Sequence, residues 1–431
     1  MIYKNPFYVG MVSTVPPREC GIATFNWDLY NSIKGDNRIE DHGFYSIIRD
    51  PLNYDPYIKR FIEMEIGQGD KNSWEKALDN IVEQTNYRKK RGKKTGFFIE
   101  HEYGIYGENH ETDDNCVELL KGLRENNIPN ITITHTILSE PDKHKENVMK
   151  GILKYTDKLI CLSPCAIFRL MKRYDAPRGK LIHIAHGVPR IEIPKTREQL
   201  KKEYGFLNEK GDSRTVVSTV GLISPSKGLE YSIDGFSEVI NQMPLKQRKD
   251  LVYLIAGATH PEIKRKIGES YREKCIDIAK QKGLNVLNTT KINNPSDIKN
   301  YDLIFLNKYL ETKEFLNILK MSDIGLVTNL GREQISSGQI AYWVGMGRTM
   351  ITTESPYAKD MENEGIGLLV KFENSEEISD RLNFFLNLSE EKKQELEFLA
   401  SDKGVTMSWP IIGLEMLNLM ENIINQYNGA N

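Results

Sequence analysis

Three polar side chains in this 431-residue sequence stand where an apolar run gives way to a loop, a place at which a group is both held and reachable: Lys227, His135 and Glu333. Lys227 closes Gly221-Leu222-Ile223-Ser224-Pro225-Ser226-Lys227-Gly228, between a strand and a helix, and can offer a point charge to a phosphate group. The run lacks the Gly-x4-Gly-Lys-Ser/Thr spacing of a nucleoside-triphosphate loop, so a solvent-facing lysine is the plainer alternative. His135 ends Ile131-Thr132-Ile133-Thr134-His135, and His101 ends Ile99-Glu100-His101 one unit earlier. Two strand-end imidazoles supply polar contacts to a ligand or simply hydrogen-bond the loop backbone. Glu333 precedes an apolar helix within Asn329-Leu330-Gly331-Arg332-Glu333-Gln334-Ile335-Ser336-Ser337-Gly338, where its carboxylate and the free N–H groups can grip sugar hydroxyls. The alternative there is a serine-capped helix with a surface glutamate. Gly21, after Pro16-Pro17-Arg18-Glu19-Cys20, would let the backbone approach a phosphate at a helix start.

Other chemistries lack their residues. His101, Glu102, His110, Asp113 and Asp114 collect ligand types without a metal-site spacing, so no metal is expected. Five scattered cysteines, Cys20, Cys116, Cys161, Cys165 and Cys275, read as free thiols. There is no Gly-x-Ser-x-Gly elbow and no Gly-x-Gly-x-x-Gly fingerprint, which argues against serine hydrolases and nicotinamide enzymes. With 58 Lys+Arg against 60 Asp+Glu the net charge is -2, without the basic excess of a nucleic-acid binder. A hydrophobic fraction of 39% beside 27% charged residues suits a soluble enzyme, and the longest apolar run, 251–258, is too short to span a bilayer. Residues 1–14 break their apolar run at Asn5, Pro6 and Gly10 and lack a secretory core, so the expected location is cytoplasmic. The cluster Arg88, Lys89, Lys90, Arg91, Lys93 and Lys94 suits a solvated helix end. Its second reading is contact with an acidic acceptor or, peripherally, with anionic lipid at the inner face of a membrane.

The elements that must position these groups alternate. Strand signals at 8–13, 96–100, 131–134, 158–162 and 181–184 are separated by helical periodicity, and a second series follows at 215–220, 251–256, 304–306, 324–328, 349–352 and 367–370. Ile22, Phe25 and Leu29 mark the first helix; Ser73 can cap another that carries Trp74, Ala77, Leu78, Ile81 and Val82. This is α/β architecture, two doubly wound Rossmann-like units. The boundary is expected near the charged stretch 195–210, giving one domain at 1–190 and a second at 191–407. Ser408 and Pro410 open a last amphipathic helix with Ile412, Met416, Met420 and Ile423 on one face, which needs a packing partner.

Taken in order, Pro16-Pro17-Arg18-Glu19-Cys20-Gly21-Ile22-Ala23-Thr24-Phe25, His101-Glu102-Tyr103-Gly104-Ile105, His135-Thr136, His186-Gly187-Val188-Pro189, Ser224-Pro225-Ser226-Lys227-Gly228, Gly257-Ala258-Thr259-His260-Pro261 and Glu333-Gln334-Ile335-Ser336-Ser337-Gly338 resemble a known family. It is the retaining, nucleotide-sugar-dependent glycosyltransferases of GT-B fold, in their bacterial mannosyltransferase-like branch, over nearly the whole chain. The resemblance implies two Rossmann-like domains facing a central cleft, which makes 1–190 the acceptor domain and 191–407 the donor-binding domain, and a last helix, 408–431, packing back on the first domain. It implies a metal-free hexosyltransferase with no cofactor, whose donor substrate is a nucleotide-sugar, GDP-mannose by preference, and whose acceptor is a saccharide or glycolipid. It assigns Lys227 to the donor pyrophosphate, Gly21 to the phosphate and Glu333 to the transferred sugar, with His135 as the histidine meeting that sugar. Ser224, Gly257, Gln334, Ile335, Ser336 and Ser337 fall to the donor and His101 and Glu102 to the acceptor side.

Two positions depart from the family pattern: Leu222 stands where an arginine is common, and Ala341 where a second glutamate usually lies eight residues after the first. A missing guanidinium weakens bidentate phosphate binding, and a missing carboxylate removes a ribose contact. These losses bring forward a glycoside phosphorylase of the same fold, working with inorganic phosphate. The rival of another class is a non-catalytic sugar- or nucleotide-binding subunit.

Overall fold

The computed structural model describes residues 6–109, 112–189, 193–292 and 298–429; His110 lies outside them. The strands of the first series are β1 (Phe7–Ser13), β2 (Ile39–Ile48), β3 (Ile62–Gly67), β4 (Lys94–His101), β5 (Asn130–Thr134), β6 (Lys158–Cys161) and β7 (Leu181–His183). Those of the second are β8 (Thr215–Val220), β9 (Leu251–Ala256), β10 (Val286–Thr289), β11 (Leu303–Leu306), β12 (Ile324–Val327), β13 (Met350–Thr353) and β14 (Leu368–Val370). They form two seven-stranded sheets, in the orders β3-β2-β1-β4-β5-β6-β7 and β10-β11-β9-β8-β12-β13-β14. Every named pairing is parallel. Sheets covered by helices on both faces need strands apolar on both faces, which is why β1, β9 and β12 are buried throughout.

Three strands fall outside the sequence expectation, β2, β3 and β10. β2 opens with the partly exposed Ile-Glu-Asp-His, while of the sheet edges β3 alternates polar with apolar residues and β10 has only Val286-Leu287 before Asn288-Thr289, so none presents a continuous apolar run. The helix Lys71–Lys89 also starts earlier than Ser73 implied. Asp70 is its cap and accepts from Asn72 N at 3.0 Å, while Ser73 Oγ accepts from Gly67 N at 2.9 Å.

The chain forms two compact units, Met1–Gly187 with Glu333–Ser336 and Met407–Asn431, and Val188–Arg332 with Ser337–Thr406. The last helix, Trp409–Gly429, belongs to the first unit and packs on the first helix, Gly21–Ile33. Its Trp409, Ile412, Met416, Leu417, Met420, Ile423 and Ile424 are buried with Phe25, Leu29, Phe98 and Ile133 in one core. Gly187 makes this possible: a Cβ there would lie 2.4 Å from the Trp409 ring.

Strand order fixes where loops can hold a ligand. The winding direction reverses between β1 and β4 in the first sheet and between β8 and β12 in the second, and in doubly wound sheets ligands sit beyond the carboxyl ends of the strands at such a reversal. Gly21 follows β1 and His101 ends β4; Lys227 and the 328–337 loop follow β8 and β12. Among the described residues no helix is long and apolar enough to cross a membrane.

Candidate functional site

In the first unit, β5 hands the chain to His135, whose N–H donates to the His101 carbonyl at 3.0 Å and so extends the β4–β5 pairing past the last strand residue. The His135 ring is buried: Nε2 lies 2.6 Å from Glu100 Oε2, and Phe25 meets the ring edge-on at a centroid distance of 4.9 Å. Burial pulls the imidazole down to about 4 and pushes the Glu100 carboxyl well above the usual carboxylate range. His186 is likewise buried and lowered to about 4, its Nδ1 set against the Gly187 carbonyl at 2.7 Å.

His101 and Glu102 turn to different partners. His101 Nε2 is 3.1 Å from Asp114 Oδ2, and Glu102 accepts from Thr136 Oγ1 at 2.7 Å, with burial raising its pKa. His101, Asp114 and Cys116 bring three potential metal-ligand atoms within 4.8 Å of one another. Their bonds are already internal, since Asp114 Oδ1 also receives the Cys116 N–H at 2.9 Å, and His101 Nδ1 is buried without the acceptor that a metal-bound imidazole ordinarily uses.

Glu333 is half-exposed and held on three sides. Ser139 gives it both its N–H and its Oγ at 2.8 Å, and Arg169 Nη1 stands 2.9 Å from Oε2; those bonds and the nearby guanidinium outweigh the raising effect of burial and lower its pKa. The carboxylate expected to be open to hydroxyls thus begins as the anchor of its own segment. Ser336 Oγ donates to the His135 carbonyl at 2.8 Å. Ile335 points into the core and its carbonyl accepts from Ser163 Oγ at 2.6 Å, so only its backbone remains for a ligand. Gln334 is half-buried.

Gly21 begins the first helix, whose cap is the Cys20 thiol, accepting from Ala23 N at 3.4 Å. A Cβ on Gly21 would meet nothing within 4 Å, so the protein's own packing does not require glycine there. Gly21→Ala is therefore expected to keep or slightly raise the melting temperature, alanine being the better helix former, and to weaken only what approaches from outside. A lower melting temperature with unchanged turnover would assign the glycine to folding.

In the second unit the Lys227 ammonium donates to Gln339 Oε1 at 2.9 Å, and Gln339 Nε2 in turn donates to the Val220 carbonyl at the end of β8. Among the described residues Lys227 has no carboxylate partner, and burial lowers its pKa to about 8. Thr328 Oγ1 holds the Lys227 carbonyl at 2.9 Å and Leu330 N holds Ser226 O at 2.8 Å, which ties together the two loops at the sheet's reversal point. Ser224 Oγ pairs with Ser226 Oγ at 2.8 Å, and Ser337 caps the helix Gly338–Gly345. Gly257 has φ +154° and a Cβ there would fall 1.9 Å from the Gly221 carbonyl, so close packing alone demands a glycine. Leu222 is half-buried and Ala341 fully buried in its helix, so position 341 offers no surface for a ribose contact.

Sequence reasoning missed Glu100, Ser139, Arg169 and Gln339. Only Gln339 carried a signal, as a polar residue at the second position of the helix behind the serine cap. The basic cluster is largely engaged: Arg88 lies over the Tyr8 ring and 3.6 Å from Glu63, Lys93 pairs with Glu40, and Lys94 reaches Asn425.

No model of a known protein family matches the chain, and no curated protein matches it. Solved structures do. A glycosyltransferase from Rickettsia africae ESF-5 is 14% identical, with 97% of this chain and 99% of that one aligned at a TM-score of 0.69. The sucrose-phosphate synthase of Thermosynechococcus elongatus is 13% identical over 97% and 100%, at 0.68. HepE of Anabaena, solved with UDP-glucose, is 11% identical over 96% and 99%, at 0.65. At these identities the likeness establishes the fold, the GT-B arrangement of two doubly wound sheets with a last helix returning to the first.

Proposed function

We propose that this protein is a retaining glycosyltransferase that moves a hexose from a nucleotide-sugar to a saccharide or glycolipid acceptor without a metal ion. The observation that carries the reading is Lys227: a half-buried ammonium with only a neutral amide beside it, at the reversal point of a doubly wound sheet, is an uncompensated charge matched to a diphosphate. Cleaving a sugar–phosphate bond builds positive charge at the anomeric carbon and negative charge on the leaving phosphate. Lys227 meets the second of these and acts electrostatically. Same-face attack fits a retaining reaction, with the leaving phosphate taking the acceptor proton; His135 and Glu333 orient the sugar, Gly21 admits the phosphate, and His101 and Glu102 serve the acceptor side.

The pH dependence follows from Lys227. Its ammonium is intact below about 8 in the free protein and lost above it, so donor affinity should hold near neutrality and weaken by up to about tenfold per pH unit beyond that point. Calorimetric titration of donor at neutral and alkaline pH measures this, and Lys227→Arg should flatten the slope because a guanidinium stays charged. An equal slope in that variant would remove Lys227 from the phosphate.

A thermal-shift panel of nucleotide-sugars tests the function itself. GDP-mannose is favoured by the sequence resemblance, and UDP-glucose is the ligand that HepE carries. A true donor at a hundredfold excess over its Kd stabilises by about 2.7 kcal/mol, roughly 5–10 °C for a unit of this size. A flat response to every nucleotide-sugar would overturn the reading. Leu222 and Ala341 favour the phosphorylase as second reading, and product formation with inorganic phosphate but without nucleotide-sugar would select it.

A further inference from the structure

We propose that Glu100 is a positioning residue for His135: by bonding Nε2 it leaves the ring proton on Nδ1 and presents that N–H as a donor to the sugar. This rests on reading His135 as a contact of the transferred hexose. The two side chains are brought together by register. Glu100 in β4 pairs with Ile133 in β5, and since Phe98, Ile131 and Ile133 feed one core, Glu100 and His135 emerge two residues further along the same face.

Glu100 is wholly buried, and its second oxygen, Oε1, has no partner. An ionised carboxylate in that place would leave half its charge without a donor, at a cost of several kcal/mol, whereas a neutral acid needs chiefly an acceptor for its one proton. The Nε2–Oε2 distance of 2.6 Å suits an O–H donating to an imidazole nitrogen. The burial shifts already described run the same way, keeping both groups uncharged near neutrality. Around the ring the other titratable groups are His101 and Glu102 from the β4 end and His186, which reaches His135 electrostatically, and none of them bonds an imidazole nitrogen of His135. Among the described residues Nδ1 has no protein partner, so with Nε2 occupied it is the nitrogen left for a ligand.

The test combines nitrogen NMR of the full-length protein, labelled at histidine, with steady-state kinetics. At neutral pH the His135 signals, assigned by their loss in His135→Asn, should show the Nδ1–H tautomer in the native protein and in Glu100→Gln, whose amide N–H replaces the acid O–H. Glu100→Leu should mix the tautomers and lower kcat roughly 100-fold, the order expected when one preorganised hydrogen-bond donor is lost, with the donor KM little changed. A native Nε2–H tautomer overturns the proposal, as does a Glu100→Leu protein with native spectrum and kcat. Should Glu100→Leu fail to fold, the native and Glu100→Gln spectra still decide. The spectra need no substrate, so a protein that transfers no sugar would refute the transferase reading and leave the tautomer assignment separately measurable.

Discussion

Lys227→Ala should cut kcat by about 10²–10³-fold, the usual cost of removing one preorganised charge from a transition state. The same change should leave the melting temperature unchanged or higher. That opposite sign is what separates a functional ammonium from a structural one. A lysine whose pKa has fallen to about 8 is held in the folded state against its preference for water; discounted for its partial exposure, the penalty is on the order of 1–3 kcal/mol. Its one side-chain bond, to Gln339, is charge-assisted and offsets part of this but supplies no countercharge, and Gln339 keeps its own bond to the Val220 carbonyl when the lysine is gone. A charge held at such a cost is accounted for by a ligand that compensates it. Lys227→Met, which keeps the apolar stem, should give the same pair of results with less change in packing. Steady-state rates with the best donor of the panel and thermal melts without ligand measure both. A variant that melts lower and turns over normally would make Lys227 a packing residue and remove the main support for diphosphate binding.

What could be read beforehand follows from the physics of parallel sheets. Central strands such as β1 and β9 are apolar on both faces and stop abruptly, so the loops behind them are easy to place; His135 is conspicuous as the residue that ends the Ile-Thr alternation of β5, and Lys227 as the cation in the loop between β8 and the next helix. Edge strands β3 and β10 have one solvated face and no such contrast. The partners of the conspicuous residues were hidden for a different reason. Glu333 meets Ser139 and Arg169 across 194 and 164 residues, and Lys227 meets Gln339 across 112, separations over which spacing carries no information. Glu100 was obscured by its own strand, where a carboxylate between Ile99 and His101 looks like a loop residue until the register sets it beneath His135. The glycines divide similarly. Gly257 and Gly187 are explained by close packing, which no local pattern announces, whereas Gly21 is explained by nothing in the protein.

Ending the chain at Thr406 should prevent the first unit from folding. The last helix buries Trp409, Ile412, Met416, Leu417, Met420, Ile423 and Ile424 against the first helix and the sheet. At about 1.5–3 kcal/mol for each large apolar side chain the loss is of order 10–20 kcal/mol as an upper bound, as much as a whole domain's usual stability. Circular dichroism and limited proteolysis of the truncated chain should show residues 7–187 cleaved at many points; a protease-resistant first unit would contradict this packing account. Trp409→Ala is the graded version, costing about 3–5 kcal/mol. Phe25 stands edge-on to Trp409, to His135 and to His186 at centroid distances of 4.9, 4.9 and 5.1 Å, so the tryptophan holds the ring that packs both buried imidazoles. Loss of that support should therefore lower kcat as well as the melting temperature, and Trp409→Phe, which restores an aromatic face, should recover most of both. If Trp409→Ala lowers the melting temperature but leaves kcat intact at a temperature where the protein is fully folded, the aromatic cluster serves stability alone, and His135 is held by its bonds to His101 and Glu100 without help from Phe25.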